Sequence, residues 1–305
     1  MTSSSRLTLP LPSPFELRLV ALSHGWYDLA PFAWDPDRQA LAWSFRLGSG
    51  NAAHVEVRQR SQTLLARVTA TRPLDSRQRS HIKGVIRSCL RLDEDLTTFH
   101  AVAEGDTALA WAARRGAGRM LRSPTVFEDL IKVLFTTNCS WALTKVMVTR
   151  LISELGEDAP GGGKTFPAPE RVAECDEAFL RERIRCGYRA PHVRALAVRV
   201  ASGDLDPESW RREPRADDDL YRELTALPGI GPYAAGTLQR LLGHYSQAAL
   251  DSWCRARFQE LYGARRAKND AAILKRYQPF GPWLGLALWL DLTREWHEGE
   301  TGVPL

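Results

Sequence analysis

Between residues 15 and 72 apolar and polar positions alternate with period two. Phe15-Glu16-Leu17-Arg18-Leu19 begins the pattern, and Leu41-Ala42-Trp43-Ser44-Phe45-Arg46-Leu47 carries it most clearly. His54-Val55-Glu56-Val57-Arg58 and Leu64-Leu65-Ala66-Arg67-Val68 follow. Asp35-Pro36-Asp37 and Gly48-Ser49-Gly50-Asn51 supply the turns between them. This pattern predicts an antiparallel sheet with one dry face, ended by Pro73. From Asp75, an N-cap residue, Ile82, Val85, Ile86, Cys89 and Leu90 recur at helical spacing and predict a helix that covers that face. Residues 1–14 are polar and proline-rich. They are expected to be flexible, and they lack the apolar run of a signal peptide.

Beyond about Leu96 the period becomes helical and no strand is predicted. Ser123 reads as an N-cap with Pro124 in the first helical position. Phe127, Leu130, Ile131, Leu134 and Phe135 then form an apolar face. That helix stops at Thr136-Thr137-Asn138-Cys139-Ser140-Trp141, and another runs to about Leu155. Residues 170–200 are helical and basic, interrupted at Cys186-Gly187-Tyr188-Arg189-Ala190. After Pro279-Phe280-Gly281-Pro282-Trp283, an apolar helix passes through Leu284, Leu286, Leu288 and Trp289, where core packing is the default reading. The fold class is therefore α+β. A sheet with its covering helix spans 15–105, and a helical region spans 106–305.

Leu227-Pro228-Gly229-Ile230-Gly231-Pro232-Tyr233 separates two helical patterns. Upstream, Asp218 and Asp219 put acids where a helix begins. Downstream, Ala234, Leu238, Leu241 and Leu242 share one face. A Gly-Ile-Gly turn at a helix start leaves backbone N–H groups pointing outward, which suits a phosphate. The same glycines could simply let two helices pack closely, and the pattern alone leaves both readings open. Asp251, further along, opens another helix and could be a plain N-cap. Gly163-Lys164-Thr165 invites a nucleotide-binding loop, but Asp158 stands where that motif needs a glycine and no buried strand precedes it. It is a surface loop.

Composition adds bounds. The 305 residues hold a formal net charge of +5, with a pI near 9.1. That permits a polyanionic partner without requiring one. Five cysteines, at 89, 139, 175, 186 and 254, are dispersed and form no CxxC pair. They read as free thiols in a reducing, cytoplasmic setting. No apolar run approaches membrane-spanning length.

Taken in order, these stretches resemble the helix-hairpin-helix DNA glycosylases, in the branch of the 3-methyladenine and 8-oxoguanine enzymes. Leu227 to Gly231 matches the hairpin, and Asp251 falls at the family's catalytic aspartate. Phe15 to Trp34 resembles the start of the N-terminal sheet domain. Thr137-Asn138-Cys139-Ser140 resembles the junction that wedges into the duplex, and Gly187-Tyr188-Arg189-Ala190 a second minor-groove contact. Pro282-Trp283 to Trp289 resembles the C-terminal helix that lines the base pocket. The resemblance implies two mostly α-helical domains after the sheet, with a cleft between them. It implies duplex DNA containing a damaged base as partner, a monomer acting near the nucleoid, and no membrane.

It also implies residue roles. Asp251 would be catalytic, because a fixed carboxylate can stabilise a sugar cation or activate water. Gly229, Ile230, Gly231, Asn138, Tyr188 and Arg189 would contact DNA. Tyr233, Trp283, Trp289 and Gly25 would form the base pocket. Relatives that also cut the strand place a Schiff-base lysine where Tyr233 stands, so a monofunctional enzyme is expected. Oxo-guanine members place a base-reading glutamine where Gly285 stands, four residues before a stacking aromatic. Ser23-His24-Gly25 resembles their base-reading segment, which points the other way. An aromatic pocket attracts electron-poor, cationic bases. The balance favours an alkylated purine over the alternatives, an oxo-guanine enzyme or a non-catalytic damage-binding protein. No side-chain metal site and no iron–sulfur cluster is expected, since the four-cysteine loop is missing. A monovalent cation held by hairpin carbonyls would leave no side-chain trace.

Overall fold

The computed structural model describes residues 2–48 and 50–298. Met1, Ser49 of the predicted turn and the end of the 106–305 region lie outside the described residues. The period-two segments form a five-stranded antiparallel sheet of β1 (Ser3–Pro10), β2 (Ala33–Asp35), β3 (Ala40–Gly48), β4 (Asn51–Arg60) and β5 (Thr63–Ala70). The strand order is β1-β5-β4-β3-β2. Register aligns the apolar residues in rows. Leu41, Val57, Ala66 and Leu7 face one another across four strands, and Trp43, Val55 and Val68 form the next row. All seven are buried.

Two expectations are corrected here. Residues 3–10 are an edge strand, where a flexible tail was expected. Leu7 lies opposite Ala66 and Leu9 opposite Leu64, so β1 completes the buried rows. Only two apolar residues carry that signal, and the edge position tolerates Pro10 at the strand end. The 15–19 alternation is not a strand. Leu17–Ala21 is a short helix, α1, whose Leu17, Leu19, Val20 and Ala21 are all buried. Gln59 of β4 holds its entrance, accepting from Leu17 N at 2.7 Å and donating to the Phe15 carbonyl at 2.9 Å.

Helix α2 (Ser76–Cys89) starts as expected at Asp75. The Asp75 carboxylate accepts from Gln78 N and the Gln78 side chain accepts from Asp75 N, a reciprocal cap. Its buried Ile82, Ile86 and Cys89 join the core beneath the sheet. The regular elements that follow are helical: α3 (Thr97–Glu104), α4 (Ala110–Arg115), α5 (Val126–Thr136), α6 (Trp141–Leu155), α7 (Pro169–Ala173), α8 (Glu177–Glu182), α9 (Ala190–Ser202) and α10 (Ser209–Arg212). Then come α11 (Asp217–Thr225), α12 (Pro232–Leu242), α13 (Ser252–Tyr262), α14 (Asp270–Lys275), α15 (Leu284–Leu292) and α16 (Glu295–Glu298). The cap of α5 is Thr125, whose hydroxyl accepts from Glu128 N, and not Ser123. Ser123 N is drawn instead to the Asp129 carboxylate at 2.9 Å. The Gly161–Gly163 loop is an exposed turn closed by a bridge between Asp158 and Lys164.

Long-range polar bonds place the helices that matter below. Arg91, buried at the end of α2, donates to the Leu241 carbonyl of α12 at 2.5 Å. Asp291 of α15 accepts from both Tyr262 and Tyr277, at 2.6 and 2.8 Å, which ties α15 to the end of α13. No helix among the described residues is long and apolar enough to cross a membrane.

Candidate active site

Asp251 is the N-cap of α13. Its Oδ1 accepts from Cys254 N at 2.7 Å, which fixes the carboxylate at the positive end of the helix. Gly236 of α12 allows this placement. A Cβ there would lie 3.2 Å from Ala249 N and 3.3 Å from the Ala248 carbonyl carbon and oxygen, so the 248–249 backbone runs tight against the helix. Asp251 is half-buried and forms no ion pair among the described residues. The Cys254 thiol beside it is pushed up to about 12, first by burial and then by the aspartate's charge, so it stays protonated.

The carboxylate faces a cavity of about 310 Å³. That is within the range of small-ligand sites. Tyr233, Trp289 and Gly25, three of the four residues expected to form a base pocket, line it together with Asp251. So do Trp26, Trp141, Trp253, Trp296, His24 and Arg240. Each aromatic is pinned by a polar bond or by another ring. Trp289 Nε1 donates to the Ser23 carbonyl at 2.8 Å, Trp26 to Asp129 at 2.7 Å and Trp141 to Asp28 at 2.9 Å. Trp253, Trp289 and Trp296 meet pairwise with centroids 5.4–5.9 Å apart. Burial raises the Tyr233 phenol, and the Asp251 charge adds to it, so Tyr233 is a neutral hydroxyl. His24 is held down to about 4, chiefly by burial. Its Nε2 lies 2.5 Å from the Leu121 carbonyl, which can only accept, so Nδ1 is left as a hydrogen-bond acceptor.

Gly25 has a packing reason to be glycine. A Cβ would sit 2.4 Å from the Trp141 ring, which closes directly on that backbone. Trp283 is the correction among the pocket residues. It stacks on Tyr245 at 5.3 Å and contacts Phe99 at 5.7 Å, away from the cavity. Trp283 lies in the turn before α15, at its N-cap, whereas Trp289 lies within the helix, so the two rings meet different neighbours. Gly285 has no room for a side chain. Its N donates to the Tyr245 carbonyl at 2.6 Å, and a Cβ would lie 2.1 Å from the Gln247 carbonyl oxygen.

The expected DNA-contact residues form a connected rim. Thr136 and Cys139, on either side of Asn138, line the cavity. Asn138 takes φ of +48°, a conformation asparagine tolerates after a helix end. Its Nδ2 donates to the Tyr188 hydroxyl at 3.2 Å. Tyr188 is 54% exposed and presents its ring outward. Arg189 is corrected. It is buried under Tyr188, with its guanidinium 4.5 Å from that ring, and it donates to the Thr137 carbonyl. It supports the junction and cannot reach a phosphate. In the hairpin, buried Ile230 anchors the turn to the core, while Gly231 is exposed and open. Gly229 has φ of +78°, and a Cβ would meet His192 of α9 at 2.8 Å. The rim therefore runs from Asn138 through Tyr188 and α9 to the hairpin. No backbone carbonyl accepts from the Gly229 and Gly231 amides among the described residues, which leaves two donors for an anion.

Among the described residues no cluster of three or more His, Cys, Asp or Glu could hold a metal. The sequence reading missed Trp253, Trp296, Trp26, Trp141 and Arg240, and it named His24 only within the Ser23–Gly25 segment, with no role of its own. A signal existed for Arg240, since Tyr233, Thr237 and Arg240 repeat at i, i+4 and i+7 after the hairpin.

No protein-family model matches the chain. A DNA-3-methyladenine glycosylase of Bacillus subtilis is 26% identical over 185 residues, covering 59% of this chain and 60% of that protein. The match thus spans about three-fifths of that relative's length. A 3-methyladenine DNA-glycosylase from Archaeoglobus fulgidus superposes with a TM-score of 0.71 at 17% identity, covering 94% of this chain and 97% of the other. An 8-oxoguanine glycosylase/lyase from Clostridium acetobutylicum, in its apo-form, gives 0.72 at 19% identity, covering 96% and 98%.

Proposed function

We propose that this chain, whose fold is that of the helix-hairpin-helix DNA glycosylases, is a monofunctional DNA N-glycosylase of base excision repair. It takes an alkylated purine out of duplex DNA and hydrolyses its N-glycosidic bond. One observation carries the reading: Asp251, capped and without a cationic partner, shares an aromatic cavity of purine-accommodating size with Tyr233 and Trp289.

Exposed Gly231 and the free amides of the turn suit a phosphate, and Asn138 stands at the rim where a wedge would fill the gap left by the flipped base. As the C1′–N9 bond breaks, its electron pair leaves with the base and positive charge builds on the sugar. The Asp251 carboxylate opposes that charge. A water oxygen then bonds to C1′ while Asp251 takes its proton; that proton passes to solvent when the adduct was cationic and leaves as a neutral base, or to the departing base anion when the adduct was neutral, giving the free base and an abasic site. No lysine lines the cavity among the described residues, and neutral Tyr233 stands where a Schiff-base amine would be needed. That supports water as nucleophile over strand-cutting chemistry. Gly285, with no space for a side chain, weighs against the oxo-guanine alternative. The same reading includes a monomer working on the nucleoid in the cytoplasm, with no iron–sulfur cluster. A monovalent cation at the hairpin carbonyls is compatible with it.

The test is a mass-spectrometric survey of bases freed from alkylated, deaminated and oxidised duplex DNA. Alkylated purines are expected to dominate the released fraction. Release of 8-oxoguanine alone would replace this reading with its alternative, and release of nothing would leave a DNA-binding protein.

A further inference from the structure

The wall that α12 gives the cavity is not purely aromatic. Tyr233, Thr237 and Arg240 lie on one face of the helix and all three line the cavity. Arg240 is only 5% exposed. Among the described residues no hydrogen bond or ion pair engages its guanidinium, and Nε is buried without a partner. Its one specific contact is the Trp289 ring, 4.2 Å away. Thr237 Oγ1, one turn earlier, is also buried and unpaired. The titratable groups near Arg240 are Cys254, Tyr233, Asp251, His24 and, behind the wall, Tyr245; burial keeps the thiol, the phenols and the imidazole neutral, which leaves the aspartate as the anion among them. A guanidinium stays protonated and offers five donors and no acceptor. Buried polar groups are nearly always paired, so two orphans on one cavity face call for a ligand that pairs them.

Two consequences follow for the occupant. One face of Trp289 already holds a cation, so that part of the wall does not attract a second one. A cationic base entering beside Arg240 meets a like charge against a largely aromatic wall, where repulsion is screened less than in bulk water. A neutral base with ring-nitrogen or carbonyl acceptors satisfies Arg240 and Thr237.

We propose that Arg240 makes the cavity discriminate among alkylated purines by charge, taking neutral adducts that present acceptors, such as 1,N6-ethenoadenine, over cationic N7-alkylguanine. This rests on the glycosylase reading above.

Two duplexes, with 1,N6-ethenoadenine or 7-methylguanine at the same position, are compared under single-turnover conditions. Each rate is divided by the spontaneous depurination rate of that lesion. The parent protein is expected to favour the neutral adduct by about tenfold or more. Arg240→Gln is expected to lower that ratio about tenfold, and Arg240→Lys, which keeps the charge, to retain most of it. A parent ratio near one overturns the proposal, as does a ratio that Arg240→Gln leaves unchanged. If Arg240→Gln does not fold, judged by its melting curve, the parent ratio decides alone. Release of neither base by the parent protein sinks the glycosylase reading itself, a result distinct from release of both without discrimination.

Discussion

Asp251→Asn is expected to slow base release by about 10²–10⁴-fold while duplex affinity and thermal stability stay near those of the parent. The substitution removes the charge and little else. Asparagine caps helices as well as aspartate does, so its side-chain oxygen can keep the bond to Cys254 N that orders the start of α13. The cavity keeps its shape because Gly236 and the 248–249 backbone are untouched. What disappears is the only carboxylate on the cavity wall among the described residues, and with it the group that opposes sugar cation charge and accepts the proton of water. Asp251→Ala is a poorer probe, since the lost cap costs about 1 kcal/mol in addition. Single-turnover release rates and fluorescence-anisotropy titrations of one lesion duplex separate the two effects. Release within a few-fold of the parent would mean that Asp251 is only a helix cap.

Gly285→Ala carries the largest structural effect. The new methyl group would sit 2.1 Å from the Gln247 carbonyl oxygen and 3.0 Å from that of Tyr245, both backbone atoms. Either α15 slides or the 245–247 segment moves, and each breaks the bond from Gly285 N to the Tyr245 carbonyl. The expected loss is roughly 2–4 kcal/mol of folding stability, at the high end for overpacking because backbone must yield. The displacement also pulls Trp289 from the Ser23 carbonyl, which opens the cavity wall. Urea unfolding followed by tryptophan emission checks both, since Trp253, Trp289 and Trp296 report on the same corner. Unchanged midpoint and emission would show that the close approach is not needed.

The hairpin and Asp251 were legible because they are local. Turn glycines, a buried Ile230 and a capping aspartate need only neighbours in sequence to be recognised. The sheet was legible through its period, down to the row of Leu41, Val57 and Ala66. Its edge strand was not, because Leu7 and Leu9 give two apolar positions among prolines, and only pairing with β5 brings out their meaning. Trp283 and Trp289 looked alike in sequence, yet the turn before α15 sends Trp283 against Tyr245 and Phe99 while the helix carries Trp289 to the cavity. Arg189 looked like a surface cation, yet the carbonyl it supports comes from Thr137, fifty-two positions away. Trp26, Trp141 and the role of His24 were invisible for the same reason. Their partners Asp129, Asp28 and Leu121 come close only in the folded chain.

The most direct test uses one end-labelled duplex carrying a single 1,N6-ethenoadenine. The duplex is incubated with the parent protein and divided, one half going straight to a denaturing gel and the other through hot alkali first. The account predicts an intact strand without alkali and cleavage at the lesion after it, with the free adduct base in the supernatant. An intact strand in both lanes would contradict the account.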